Sequence, residues 1–236
     1  MGRILFVTGN DTGVGKTVLS VLLIRHLRRN GRRSVALKPF CSGGRDDAEA
    51  LFRAQAGEVD LDRINPWHFR APLSPAVAAR RERRRIELRS VLQYLRREAR
   101  GPDLLVIEGA GGLLSPLGDG YSARDLIGRL GAVPVVVCPN RLGVLNQALL
   151  VMEALPEAVR VHARLILMQP EVPDASTASN PGELREILGP ERVFVLPRLR
   201  AAQLESPGAG VNRILEGLVS ERNGRMGRSL PRVVRR

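Results

Sequence analysis

The stretch FVTGNDTGVGKT, Phe6–Thr17, carries the decision about the fold. A phosphate-binding loop of the usual spacing has four residues between its first glycine and the Gly-Lys-Thr. Here five residues separate Gly9 from Gly15, and Asn10 stands where the first glycine is expected. The context resolves the mismatch. RILFVT, Arg3–Thr8, is a short apolar run, and TVLSVLLIRHLRRNG, Thr17–Gly31, has apolar residues at helical spacing and closes on basic residues and a glycine. A glycine loop between a buried strand and a helix directs backbone N–H groups and the positive end of the helix dipole at one anion. The stretch reads as a phosphate loop.

Outward from it, SVALKP (Ser34–Pro39) reads as a second strand and DDAEALFRAQAG (Asp46–Gly57) as a helix. NPWHFRAPLSP is punctuated by proline and reads as a loop, and Ala76–Gly101 as one or two amphipathic helices with a charged face. DLLVIEG (Asp103–Gly109), AVPVVVC (Ala132–Cys138) and ARLILMQ (Ala163–Gln169) are continuous apolar runs, as strands buried on both faces of a parallel sheet require. Arg141–Leu155 is helical, Glu191–Pro197 a final strand and Val211–Ser220 a closing helix. Alternating strands and helices predict a doubly wound, mainly parallel α/β sheet flanked by helices, of the P-loop NTPase type. One domain over residues 1–220 is expected, followed by a basic, disordered tail over 221–236 rich in Gly, Pro and Arg.

The formal net charge of +13 invites a nucleic-acid reading, but aromatic residues are only 3% of the chain, too few for base-stacking platforms, and much of the excess lies in the tail. No apolar run approaches the ~20 residues of a membrane span. The expected partners therefore include neither nucleic acid nor membrane. The chain starts on a strand-like segment without a secretory signal, and Cys41 and Cys138 form no disulfide framework, so a cytoplasmic location is expected. Of the 37 basic residues, only Lys16 and Lys38 are lysines. Both follow strand-like segments, where a compact ammonium differs from a planar guanidinium.

Ligands of a parallel sheet collect beyond the carboxyl ends of its strands. Glu108 ends LLVIE and Lys38 ends VALK, so both converge on the phosphate loop, within reach of Asp47. Thr17, Asp47 and Glu108 are hard oxygen ligands suited to Mg²⁺. Asp125, three residues after Ser122, reads as part of a capping box, and the three histidines as surface or packing residues.

Together FVTGNDTGVGKT, LKPFCSGG, DDAEAL, Ser74-Pro75, IEGAGGLLSPL and RLGVLNQALL resemble the dethiobiotin synthetases, from Leu5 to about Leu155. The resemblance implies a homodimer that uses ATP and Mg²⁺ to join CO₂ to 7,8-diaminononanoate and close a ureido ring, through a carbamate that attacks the γ-phosphate. It implies that Lys16 and the amides of Gly13, Val14 and Gly15 hold phosphates. The nucleotide-contacting set extends to Thr17, Val18, Glu108, Gly109, Ala110, Gly111, Gln169 and Pro197. Lys38 and Lys16 are the implied catalytic cations, Thr12 and Ser42 contact the carbamate end, and Asn146 binds the substrate carboxylate from the partner subunit. Two positions depart from the family: Ala76 stands in place of the usual His after Ser-Pro, and Met168 and Gln169 in place of an Asn that reads adenine.

A rival reading is a partitioning or membrane-associated ATPase of the deviant P-loop type, acting on DNA or membrane. Such proteins carry a signature lysine five positions before the loop lysine, and that position is Asp11. A cobyrinic-acid-type amidoligase has a similar loop on a longer chain with a glutaminase part.

Overall fold

A computed structural model describes residues 2–220, so the expected basic tail lies outside the described residues. Its strands are β1 (Arg3–Gly9), β2 (Ser34–Leu37), β3 (Phe40–Ser42), β4 (Trp67–Phe69), β5 (Leu104–Glu108), β6 (Pro116–Gly118), β7 (Tyr121–Ser122), β8 (Val133–Pro139), β9 (Arg164–Met168) and β10 (Val193–Leu196). Six of them form one parallel sheet in the order β10-β9-β8-β1-β5-β2, with β1 inside. This is the expected doubly wound α/β architecture.

The helices are α1 (Lys16–Arg29), α2 (Asp46–Ala54), α3 (Leu61–Ile64), α4 (Pro75–Arg81), α5 (Leu88–Glu98), α6 (Ala123–Leu130), α7 (Val144–Ala154), α8 (Glu157–Arg160), α9 (Asn180–Leu188), α10 (Ala201–Glu205) and α11 (Ala209–Val219). Side chains of a strand alternate between faces. Accordingly Ile4, Phe6, Leu105, Ile107, Val136 and Cys138 join a core with α5, α6, α7 and α9. Leu5, Val7, Leu104, Val106, Val135 and Val137 join a second core with α1, α2 and α11. Burial on both faces is why these runs read as continuous rather than alternating.

The long charged segment resolves into α4 and α5, and Ser122 and Asp125 form the expected capping box of α6: the Ser122 N–H donates to Asp125 Oδ2 at 2.9 Å. NPWHFRAPLSP is not wholly loop, because Trp67–Phe69 pairs in parallel with Phe40–Ser42. Trp67 stacks on Phe40 and meets Tyr94 edge-on, each with ring centroids 5.4 Å apart. Three residues carry too little pattern to announce a strand; the aromatic contacts made in three dimensions select it.

The outer strand β2 is closed by a side chain. Gln55, fully buried, accepts from Ala36 N at 2.9 Å and donates to Ala36 O at 3.0 Å, completing both backbone bonds that an edge strand leaves open. Gln55→Ala leaves both groups buried without a partner. It is expected to cost about 3 kcal/mol, read as a lowered midpoint in urea unfolding with an unchanged slope.

Candidate active site

The phosphate loop spans Gly9–Lys16, from the end of β1 to the start of α1. Gly15 caps α1 in the left-handed conformation at φ 100° and no side chain caps the helix, so the N–H groups of its first turn face outward for an anion. A side chain at Gly15 is excluded twice, by φ and by the Met168 methyl 2.8 Å from where a Cβ would sit. A Cβ at Gly112, in the loop after β5, would lie 3.0 Å from Asn10 O, so the two loops touch backbone to backbone.

Beside this cradle lies the charged cluster. Lys38, 4% exposed, donates to Glu108 Oε1 at 2.6 Å, to Asp47 Oδ2 at 2.8 Å and to Gly109 O at 3.2 Å. Thr17 Oγ1 lies 2.7 Å from Glu108 Oε1 and 2.8 Å from Asp47 Oδ1. Burial by itself lowers the Lys38 pKa, but Glu108 and Asp47 outweigh it and hold it above the ordinary lysine value. Asp47 is kept below the usual aspartate range: burial works against ionisation, and the Lys38 charge and hydrogen bond overcome it. For Lys16 the attraction of Glu108, Asp47 and Asp11 is too weak to compensate. Burial, then repulsion from Lys38, lowers it to about 8, and its ammonium bonds to Asp11 O at 2.6 Å. Incoming phosphate oxygens would add negative charge beside it.

The donor set fits Mg²⁺. Glu108 is 0% exposed, and its Oε2 is buried without a hydrogen-bond partner among the described residues. Thr17 has one hydroxyl proton and two carboxylate oxygens within bonding distance. One of those contacts therefore sets lone pair against lone pair, which a hard divalent cation would relieve.

The cavity here is lined by Thr12, Gly13, Gly15, Lys16, Thr17, Val18, Lys38, Ser42, Asp47, Glu108, Ala110 and Gly111. Ser42 Oγ is buried without a hydrogen-bond partner among the described residues. Cys41 also lines the cavity, but burial pushes its thiol up to about 11, which leaves no thiolate nucleophile at neutral pH. Val14 packs inward beside Gly9. Gln169 and Pro197 lie outside the cavity lining, at the ends of β9 and β10, and Asn146 is exposed on α7. Ala76 is buried in α4 beside the lining residues Ser74 and Pro75.

Asn65 is the residue that sequence reasoning passed over. Buried at the end of α3, it donates to Lys38 O at 2.8 Å and Pro39 O at 3.2 Å and accepts from Arg45 Nε at 3.1 Å. Arg45 immediately precedes α2, so one side chain ties the Lys38 backbone to the helix that bears Asp47. The Asn-Pro pair at 65 and 66 was the available signal. Asn65→Ala is expected to cost about 2 kcal/mol of stability, and to lower kcat roughly tenfold with little change in the KM for nucleotide. Urea unfolding and steady-state kinetics check the two effects.

A family model described as an AAA domain matches residues 3–206. The ATP-dependent dethiobiotin synthetase BioD of Anaeromyxobacter sp. (strain K) is 40% identical over 201 residues, covering 83% of this chain and 90% of the relative. The chain belongs to the dethiobiotin synthetase family. The enzyme of the same name from Anaeromyxobacter sp. (strain Fw109-5) is 37% identical over 203 residues, covering 84% and 91%. That from Methanocaldococcus jannaschii is 36% identical over 155 residues, covering 64% and 72%. No helix among the described residues is long and apolar enough to cross a membrane.

Proposed function

We propose that the protein is an ATP-dependent ligase that forms dethiobiotin from 7,8-diaminononanoate and CO₂, releasing ADP and phosphate. The observation that carries this reading is the cluster of buried Lys38 and Glu108 with half-buried Asp47 and Thr17, set against the phosphate loop. Phosphoryl transfer depends on positioning and charge neutralisation, and this cluster supplies both.

Lys16 and the amides of Gly13, Val14 and Gly15 hold the phosphate chain, with Val18, Gly109, Ala110 and Gly111 flanking it. Lys38 stabilises negative charge on the carbamate formed from one substrate amine and on the phosphoryl group passing to it. Phosphorylation turns a carbamate oxygen into a leaving group; the second amine then attacks the carbonyl carbon and expels phosphate. Thr12 and Ser42 orient the carbamate end, and the unpartnered Ser42 hydroxyl is suited to that contact. Thr17, Asp47 and Glu108 would hold Mg²⁺, which when bound neutralises phosphate oxygens.

The protein acts as a cytoplasmic homodimer in this reading. Leu142 and Leu150, 79% and 62% exposed, flank exposed Asn146 at and near α7, and a second copy covering that face would bring Asn146 towards a neighbouring site. Sedimentation at micromolar concentration checks the dimer.

Incubation with diaminononanoate, bicarbonate, Mg²⁺ and ATP, followed by mass spectrometry, is expected to give dethiobiotin and ADP that depends on the diamine. ATP hydrolysis indifferent to the diamine but stimulated by DNA or anionic vesicles would support the partitioning ATPase instead.

A further inference from the structure

Backbone contacts hold the start of the phosphate loop from two sides. Gly9 O accepts from Leu113 N at 3.0 Å, and Asn10 N donates to Val137 O at 3.3 Å, so the loop after β5 and the end of β8 flank it. Asn10 adds a third contact that a glycine in its place could not make. Its Nδ2 donates to Gln147 Oε1 at 2.7 Å across 137 residues of sequence, and Gln147 lies in the first turn of α7. This is the only hydrogen bond of the Asn10 side chain among the described residues, since Oδ1 is buried without a partner.

In a phosphate loop of the usual kind a glycine opens the loop and contributes backbone freedom. Asn10 does not use that freedom, because among the described non-glycine residues only Ala56 and Arg83 have a left-handed φ. The side chain, reaching out to a neighbouring helix, fixes the loop instead. What it fixes follows from the next residues. Asp11 O accepts from the Lys16 ammonium at 2.6 Å, and Asp11 Oδ1 accepts from Thr12 N at 2.7 Å. Thr12 and Lys16 line the cavity, whereas Asn10 and Gln147 do not. An effect of the amide pair on a bound nucleotide therefore passes through the backbone at Asp11.

We propose that Asn10 and Gln147 are a positioning pair, through which α7 holds the phosphate loop in its binding arrangement before a nucleotide arrives. A loop ordered in advance loses less of the interaction energy to ordering, so the pair raises nucleotide affinity without touching the nucleotide. The phosphoryl-transfer step itself depends on Lys38, Glu108 and Asp47 on the other side of the loop and is left almost unchanged. The proposal deepens the ligase reading above, on which its turnover measurements rest.

The test compares calorimetric Kd values for ADP with Mg²⁺, and steady-state kinetics, in Asn10→Ala, Gln147→Ala and the double variant. Each single change is expected to weaken ADP about tenfold and to raise the KM for ATP similarly, with kcat altered less than about threefold, because freeing one or two loop residues costs affinity of that order. The double variant is expected to lose no more than the weaker-binding single variant, since both changes remove the same bond. Losses that multiply, or ADP affinities within about twofold of the unaltered protein in both single variants, would overturn the proposal. Asn10→Gly restores the ordinary loop residue and is nevertheless expected to bind ADP as weakly as Asn10→Ala; full affinity in that variant would also overturn it. Melting temperatures are measured alongside, because a pair that only supported the fold would lower them and leave ADP affinity well below the transition unchanged, which again would overturn the proposal. Absence of dethiobiotin even with the unaltered protein would count against the ligase reading, while the ADP affinities would still decide the role of the pair.

Discussion

Lys38→Arg is expected to lower kcat by about a hundredfold or more, although the formal charge is unchanged. Lys38 is 4% exposed and its nitrogen sits between Glu108 Oε1, Asp47 Oδ2 and Gly109 O at 2.6, 2.8 and 3.2 Å. A guanidinium is longer and planar, and it cannot converge on three oxygens as a point donor does. Loss of one transition-state charge contact is worth roughly 3 kcal/mol, or about a hundredfold in rate. Lys16→Arg should show a loss of the same order, because that side chain folds back to Asp11 O at 2.6 Å in a tight loop. Both lysines stand in a chain whose other basic residues are all arginine, so a bias towards arginine spared these two positions. Single-turnover phosphate release measured beside melting temperature separates chemistry from unfolding. Near-normal kcat in either variant would remove that lysine from the mechanism.

Glu108→Gln is expected to lower kcat/KM by about a hundredfold and to raise the Mg²⁺ concentration for half-maximal nucleotide binding at least about tenfold. The substitution is nearly isosteric, so packing at the end of β5 is kept. What it removes is the negative charge facing Lys38 and the acceptor capacity of the buried, unpartnered Oε2. Lys38 keeps Asp47 as a partner, so the fold should tolerate the change better than loss of the lysine's only counter-charge would allow. Asp47→Asn should have the smaller effect, about tenfold, because the Asp47 side chain is 47% exposed and water can replace part of its charge. Titration of fluorescent nucleotide binding against Mg²⁺ reads this without turnover. An unchanged Mg²⁺ dependence in Glu108→Gln would show that the cation, where needed, is held elsewhere.

The two substitutions probe groups that the chain brings together from distant positions. Lys38 and Glu108 are 70 residues apart in sequence, and their contact needs β2 and β5 to lie side by side, as the register of Leu37 with Ile107 provides. The topology therefore sets the electrostatics: a parallel sheet aligns strand ends, and side chains just beyond those ends share one edge.

Much of this was legible in the amino-acid sequence. Apolar runs without alternation required strands covered on both faces, glycines with Lys16 and Thr17 required a loop feeding a helix, and a carboxylate ending an apolar strand required a partner. These are local demands, fixed by side-chain period, backbone freedom and the cost of burying charge. The positions of Lys38, Asp47 and Glu108 relative to strand and helix ends could be read for the same reason.

Other features exist only in the folded molecule. Asn65 holds the Lys38 backbone, Gln55 closes the edge of β2, and Asn140 sets the direction of the Gln169 amide. Each is a neutral polar residue whose type fits a loop, a helix end or a surface equally well, so sequence pattern does not distinguish it. Its role comes from which backbone groups the packing leaves without partners, and that is settled only when distant segments meet and water is gone. The sequence determined the chemistry available at the sheet edge; the tertiary structure decided which atoms of it face one another, because hydrogen bonds are directional over ~3 Å and periodicity carries no information at that scale.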